Sequence, residues 1–88
     1  MDRFVWDEAK NAENRAKHGI GFEIVHRIDW SAATMREDVR FDYGETRHFV
    51  VVRMEEKPYY IVIVRRDGTV RVLSARRMHE REAGRYGI

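Results

Sequence analysis

The chain has 88 residues, 43% of them hydrophobic, with a single proline, so it is long enough for one modest core and too apolar for a disordered tail. It has no cysteine, which excludes disulfides, cysteine-ligated zinc and thiol catalysis. Charged residues make up 36% and the net charge is +2, but the charge is unevenly spread: residues 65–88 carry seven arginines against the three acids Asp67, Glu80 and Glu82, which points to an anionic partner such as RNA, DNA or an acidic protein. Asp2, Arg3, Asp7 and Glu8 interrupt the start of the chain, against a signal peptide. No apolar run approaches the roughly 20 residues of a membrane span, so a cytoplasmic protein with no membrane partner is expected.

Phe4-Val5-Trp6 reads as an edge strand or a hydrophobic lead-in. Asp7 is placed to cap a helix and Gly19 to end it, which predicts a helix over Glu8 to His18. Ala9, Ala12 and Ala16 share one face of that helix and are small enough for close packing on a sheet, with Lys10, Asn14, Lys17 and His18 toward neighbouring faces. Phe22, Ile24, Val25 and Ile28 predict a short second helix ending near Asp29, with Trp30 closing the core. Met35, Val39 and Phe41 suggest a strand. After a turn at Asp42 to Glu45, His48 to Met54 and Tyr59 to Val64 read as strands, separated by a polar loop from Glu55 to Pro58. Asp67-Gly68 is a two-residue hairpin signal, Thr69 to Ser74 its return strand, and Arg76 to Tyr86 a charged terminal helix. The predicted fold is α+β: a small antiparallel sheet of three to five strands with two N-terminal helices and one C-terminal helix.

The hairpin sets an expected register. Cross-strand partners share a face, so Tyr60, Val62, Val64, Arg66, Thr69, Arg71, Leu73 and Ala75 are expected on one side of the sheet. Tyr59, Ile61, Ile63, Arg65, Val70, Val72, Ser74 and Arg76 are expected on the other, and its β-branched cluster assigns that side to the core. Arg66 and Arg71 then lie diagonally adjacent on rigid strands, a plausible anion-binding surface, because arginine presents a permanently charged fork of donors to phosphate. The four histidines show no close pairing, and neither paired acids nor a phosphate-cradling glycine motif occurs, so no metal and no cofactor are expected.

Several blocks of sequence also carry a resemblance. They are Phe4-Val5-Trp6-Asp7-Glu8-Ala9-Lys10; Asn14; Lys17-His18-Gly19-Ile20 with Phe22; Tyr43-Gly44-Glu45 with Arg47; and Val70-Arg71-Val72-Leu73-Ser74-Ala75-Arg76-Arg77 with Glu80 and Tyr86. In this order, over nearly the whole chain, they resemble the BrnT toxins of BrnT/BrnA toxin–antitoxin systems. The resemblance implies a RelE-like fold, a single toxin domain over residues 1–88 and a ribonuclease that cleaves RNA without a metal and inhibits translation. It also implies neutralisation by a cognate BrnA-like ribbon-helix-helix antitoxin, through which alone the complex reaches operator DNA and represses its operon. Two positions depart from the family pattern: the phenylalanine usual near the end of the second helix is shifted to Trp30, and Arg65 stands where the resemblance expects an acid before Arg66, which motivates an alternative, a catalytically weak antitoxin-binding module acting in transcriptional control.

Metal-free cleavage needs a base near the ribose 2′-hydroxyl, an acid near the leaving oxygen and cations for the growing phosphoryl charge. On the resemblance and the sheet face together, Arg66 and Arg76 are the expected catalytic cations, with Lys17, His18 and Glu45 in supporting roles. Arg71, Arg77, Arg47, Trp6 and Tyr86 are the expected RNA-binding residues. Structural roles compete at several of these. Lys17 and His18 suit the C-terminal end of a helix dipole, Arg76 or Arg77 could pair with Glu80 or Glu82, Glu45 could orient Arg47, and Trp6 could pack in the core.

Overall fold

The structure, a computed structural model, describes residues 3–88. Asp7 is extended (φ −86°, ψ 123°) and its carboxylate accepts from the Lys10 N–H, which starts helix α1, Glu8–His18. Gly19, left-handed at φ 75°, ends it. The helix does not bury its alanine face. Ala9, Ala12 and Ala16 are exposed, and the buried residues are Asn11 and Asn14. The reason is hydrogen bonding rather than apolar area. Asn14 Nδ2 donates to the Ala75 carbonyl (2.7 Å) and the Ile20 carbonyl (2.9 Å), and its Oδ1 accepts from the Ala75 N–H (3.2 Å). Asn11 Oδ1 accepts from the Phe22 N–H (2.8 Å) and its Nδ2 donates to Glu23 (3.1 Å). Buried backbone groups must be paired, and these two amides pair them.

The second predicted helix is instead a 3-10 helix, Phe22–His26. Phe22, Val25 and Ile28 recur every third residue, the period of a 3-10 turn, and all three are buried.

Five strands form one sheet: β1 Arg3–Val5, β2 Thr34–Asp38, β3 Arg47–Met54, β4 Lys57–Arg66 and β5 Thr69–Arg77, in the order β1-β5-β4-β3-β2. Three pairings are antiparallel, but β1 lies parallel to β5, so the sheet is mixed rather than antiparallel as expected. The rest of the chain supplies the long connection that a parallel pair needs. Asp67 and Gly68 have φ 48° and 78°, as a type I′ hairpin requires. The expected loop at 55–58 is a second two-residue turn, with Glu55 (φ 51°) and Glu56 (φ 67°) both left-handed and Pro58 already inside β4. Met35 belongs to β2, while Val39 and Phe41 lie beyond it, 77% and 68% exposed.

The register corrects the expected faces. Val62 pairs with Ser74 but Ile63 pairs with Val72, so Leu73 is an unpaired bulge. Side chains beyond it change sides. Ala75, fully buried, joins Ile61, Ile63, Val70 and Val72 in the core under α1 and the 3-10 helix. Ser74 and Arg76 move to the opposite face, where they share register with Val62 and Tyr60. Because β5 continues to Arg77, the terminal helix α2 spans Glu80–Arg85 rather than starting at Arg76. It covers part of that opposite face, packing Met78, Ala83 and Tyr86 with Phe49, Val51 and Tyr60. Arg53 of β3 holds Glu80 through two hydrogen bonds of 2.7 and 3.1 Å.

Two stability changes follow. Asn14→Ala leaves three buried backbone groups unpaired and is expected to cost about 2–4 kcal/mol in urea unfolding, whereas Ala12→Ser on the exposed face costs under about 0.5 kcal/mol. Glu56→Gly relieves a left-handed penalty of about 1–2 kcal/mol, offset by about 0.5–1 kcal/mol of glycine entropy, and should raise the melting temperature.

Candidate nucleic-acid interface

The sheet face turned away from α1 is covered by α2 at one end and open at the hairpin end. There Val5, Glu45, Val64, Arg66, Thr69 and Arg71 line a hollow of about 200 Å³. Val64 pairs with both Arg47 and Arg71, and Arg66 pairs with Thr69, so the strand register itself brings three arginines to one face. The Thr69 hydroxyl donates to the Arg66 carbonyl (2.6 Å) across the turn. Arg66 is exposed and held loosely, its Nη2 3.5 Å from Glu45 Oε1. Arg71 has no ion pair among the described residues. Glu45 also lies 3.6 Å from Arg47 Nε, so one carboxylate stands between two guanidiniums. The Arg47 guanidinium sits 4.1 Å above the Tyr43 ring.

The loop that carries Glu45 is organised by Asp38, whose side chain is 2% exposed. It accepts from Arg40 Nε (3.0 Å), Arg40 Nη2 (2.9 Å), the Arg40 N–H (3.2 Å) and the Tyr43 hydroxyl (3.0 Å). The Arg40 side-chain hydrogen bonds hold the Asp38 carboxyl well below the ordinary carboxylate range, against the upward push of burial. Neither Asp38 nor Arg40 stood out in the sequence, and Tyr60 stood out only for its place on the arginine face. Asp38 and Arg40 look like charges that interrupt a strand, and Tyr60 looks like part of an apolar run.

The other expected site residues fall in different places. Arg76 makes a bidentate pair with Glu82 (2.6 and 2.9 Å) and lies 4.6 Å from the centre of the Tyr60 ring. Hydrogen bonding to Arg76 lowers the Glu82 pKa. The structural pairing expected of Arg76 therefore holds, with Glu82, while Glu80 goes to Arg53. Arg77 is exposed at the end of β5, paired in register with Tyr59. Lys17 and His18 line a separate hollow of about 300 Å³ with Leu73 and Ser74, on the far side of the bulge from Arg71. Trp6 packs on Phe22 and His26, and its Nε1 donates to Glu8 (2.6 Å), a core role. Tyr86 joins Phe49 and Tyr60 in a ring cluster. Arg65, paired in register with Val70, belongs to the face opposite the arginine hollow. Among the described residues no group of three or more metal-ligating side chains comes together, and no helix is long and apolar enough to cross a membrane.

The crystal structure of the Brucella abortus ribonuclease toxin BrnT superposes on this chain with a TM-score of 0.74 and 21% identity, covering 90% of this chain and 99% of that one. A family model described as the ribonuclease toxin BrnT of type II toxin–antitoxin systems matches residues 6–82. The chain belongs to the BrnT family, and membership in a toxin–antitoxin family implies a cognate antitoxin as its partner. No curated protein matches it in sequence.

The Asp38 carboxyl titrates lower in the folded chain than in the unfolded one, where its pKa is about 3.9. Its contribution is therefore complete above that value and is lost as pH falls toward the folded one. Asp38→Asn should lower the melting temperature at pH 7, and the difference from the unaltered protein should shrink steadily in melts taken below about pH 4.

Proposed function

We propose that residues 1–88 act as one endoribonuclease toxin domain that cleaves RNA without a metal and so inhibits translation in the cytoplasm. The observation that supports this reading is the hollow at the hairpin end, where Arg66 and Arg71, the latter with no ion pair among the described residues, converge on rigid strands beside Glu45. In the proposed step the ribose 2′-oxygen bonds to the adjacent phosphorus and the bond from phosphorus to the 5′-oxygen breaks. The products are a 2′,3′-cyclic phosphate and a 5′-hydroxyl. The 2′-hydroxyl proton passes to a base and the 5′-oxygen receives one. Arg66 and Arg71 neutralise the charge that grows on the phosphoryl oxygens. Glu45, 3.5 Å from Arg66 and 3.6 Å from Arg47, orients both guanidiniums. Lys17 and His18, across the bulge, are suited to a flanking phosphate, and Arg77 and Arg47 add to the basic surface. Arg76, already neutralised by Glu82, supports Tyr60 rather than carrying free charge to the substrate.

The proposed partner is a BrnA-like ribbon-helix-helix antitoxin, with operator DNA reached only through it and the operon repressed by the complex. Arg65 lies on the face away from the hollow, which favours an active enzyme over a binding module with weak catalysis.

Expression of the chain without an antitoxin should arrest growth, and the purified protein should cut single-stranded RNA. Arg66→Ala should lower the cleavage rate by about 10²–10³-fold, the usual loss for one transition-state donor. Arg66→Ala and Arg71→Ala should each reduce the slope of log affinity against log salt by about 0.7. A wild-type protein that neither arrests growth nor cuts RNA would overturn this assignment.

A further inference from the structure

Beside the arginine hollow, on the same sheet face, lies a second hollow of about 250 Å³ whose lining includes Asp38, Arg40, Phe49, Tyr60 and Tyr86. Its wall is aromatic: the Phe49, Tyr60 and Tyr86 rings lie 5.4–6.0 Å apart, centre to centre. Tyr60 is the informative member. The residue is 7% exposed, but its hydroxyl is not itself buried and makes no hydrogen bond among the described residues, so it opens into the hollow. Burial also raises the Tyr60 pKa, so at neutral pH the hydroxyl is protonated and able both to donate and to accept. One face of its ring is held by Phe49 at an interplanar angle of 11° and the Arg76 guanidinium also lies against it, which fixes where the hydroxyl sits.

Arg40 completes the hollow. Its Nε and Nη2 are engaged by Asp38, while its side chain remains 64% exposed. A guanidinium held by its edge in this way keeps its flat surface for stacking. Flat π-surfaces and guanidinium planes are what unpaired bases stack on, and a fixed hydroxyl is what reads a base edge. The two hollows are close. Phe49 pairs with Val62, two residues along β4 from Val64 in the arginine hollow, a separation of about 7 Å at the rise of a strand.

We propose that this hollow is a nucleobase subsite that takes an unpaired RNA base next to the phosphate held by Arg66 and Arg71, with Tyr86 and the Arg40 plane as stacking surfaces and the Tyr60 hydroxyl as the hydrogen-bonding group. The subsite rests on the phosphate reading of the neighbouring hollow and gives the toxin its base preference.

The test is binding rather than cleavage. Short single-stranded oligomers with 2′-O-methyl riboses lack the nucleophile and stay intact. Each is compared with the same backbone built from abasic riboses. The protein should bind the base-carrying oligomer roughly 5- to 100-fold more tightly than the abasic one. Tyr60→Phe, which keeps the ring and the packing, should reduce that ratio about 5-fold for the bases the hydroxyl reads. Tyr86→Leu should reduce it for every base, with thermal melts taken to check the fold of both variants. Arg66→Ala should weaken both oligomers equally and leave the ratio unchanged. If both aromatic variants keep the wild-type ratio while Arg66→Ala still weakens binding, the base subsite is wrong and the phosphate reading stands. If neither oligomer binds, both are wrong.

Discussion

The fold turns on the hydrogen bonds between Asn14 and Ala75. Beyond the reach of three-residue β1, the outer edge of β5 has no neighbouring strand, and its backbone groups at Ala75 are buried. The Asn14 amide pairs with both the N–H and the carbonyl of Ala75, as a strand would, and also reaches the Ile20 carbonyl. One side chain thus closes a sheet edge, docks α1 and holds the turn into the 3-10 helix. The bulge at Leu73 lies two residues before this contact. It turns Ala75, which fits under a helix, toward α1, and it turns Arg76, which does not, to the other face.

That exchange of faces shapes the chemistry of the surface. With Ser74 and Arg76 moved over, the face away from α1 carries two hollows beside the part that α2 covers. Arg76 and Arg53 are neutralised by Glu82 and Glu80, which fastens α2 onto Phe49, Val51 and Tyr60. Among the described residues Arg66 at the hairpin end has only a weak partner and Arg71 no ion pair, so positive charge that the helix does not consume collects there. The uneven arginine distribution along the chain therefore divides into a structural set and an available set, and geometry alone separates them. The buried Asp38 plays the matching role for the loop of residues 38–46. By fixing Arg40 it holds one wall of the aromatic hollow, and by fixing Tyr43 it holds the ring under the Arg47 guanidinium.

Elements whose signals are local were legible in advance. Asp7 and Gly19 mark both ends of α1, Asp67-Gly68 sets the hairpin, and the diagonal placement of Arg66 and Arg71 follows from that turn. The blocks that resemble BrnT toxins also led to the family. What depended on distant partners was not legible. The alanine face of α1 looked buried and is exposed, because nothing near Asn11 and Asn14 in the chain shows which backbone groups await them. The Asp38–Arg40 pair carried no periodic or motif signal, and the alternation placed Tyr60 on the arginine face without showing the rings and charges that the sheet brings beside it.

By itself, then, the sequence determined the helix, the hairpin, the alternation of apolar residues in β3 and β4, the excess of arginine near the C-terminal end and the family. Tertiary structure decided the parallel pairing of β1, the bulge, the side on which Arg76 lies and which arginines keep their charge available. The physical reason is range. Caps and two-residue turns are satisfied within four residues, whereas a bulge or a buried amide is chosen by the groups left unpaired on another part of the chain.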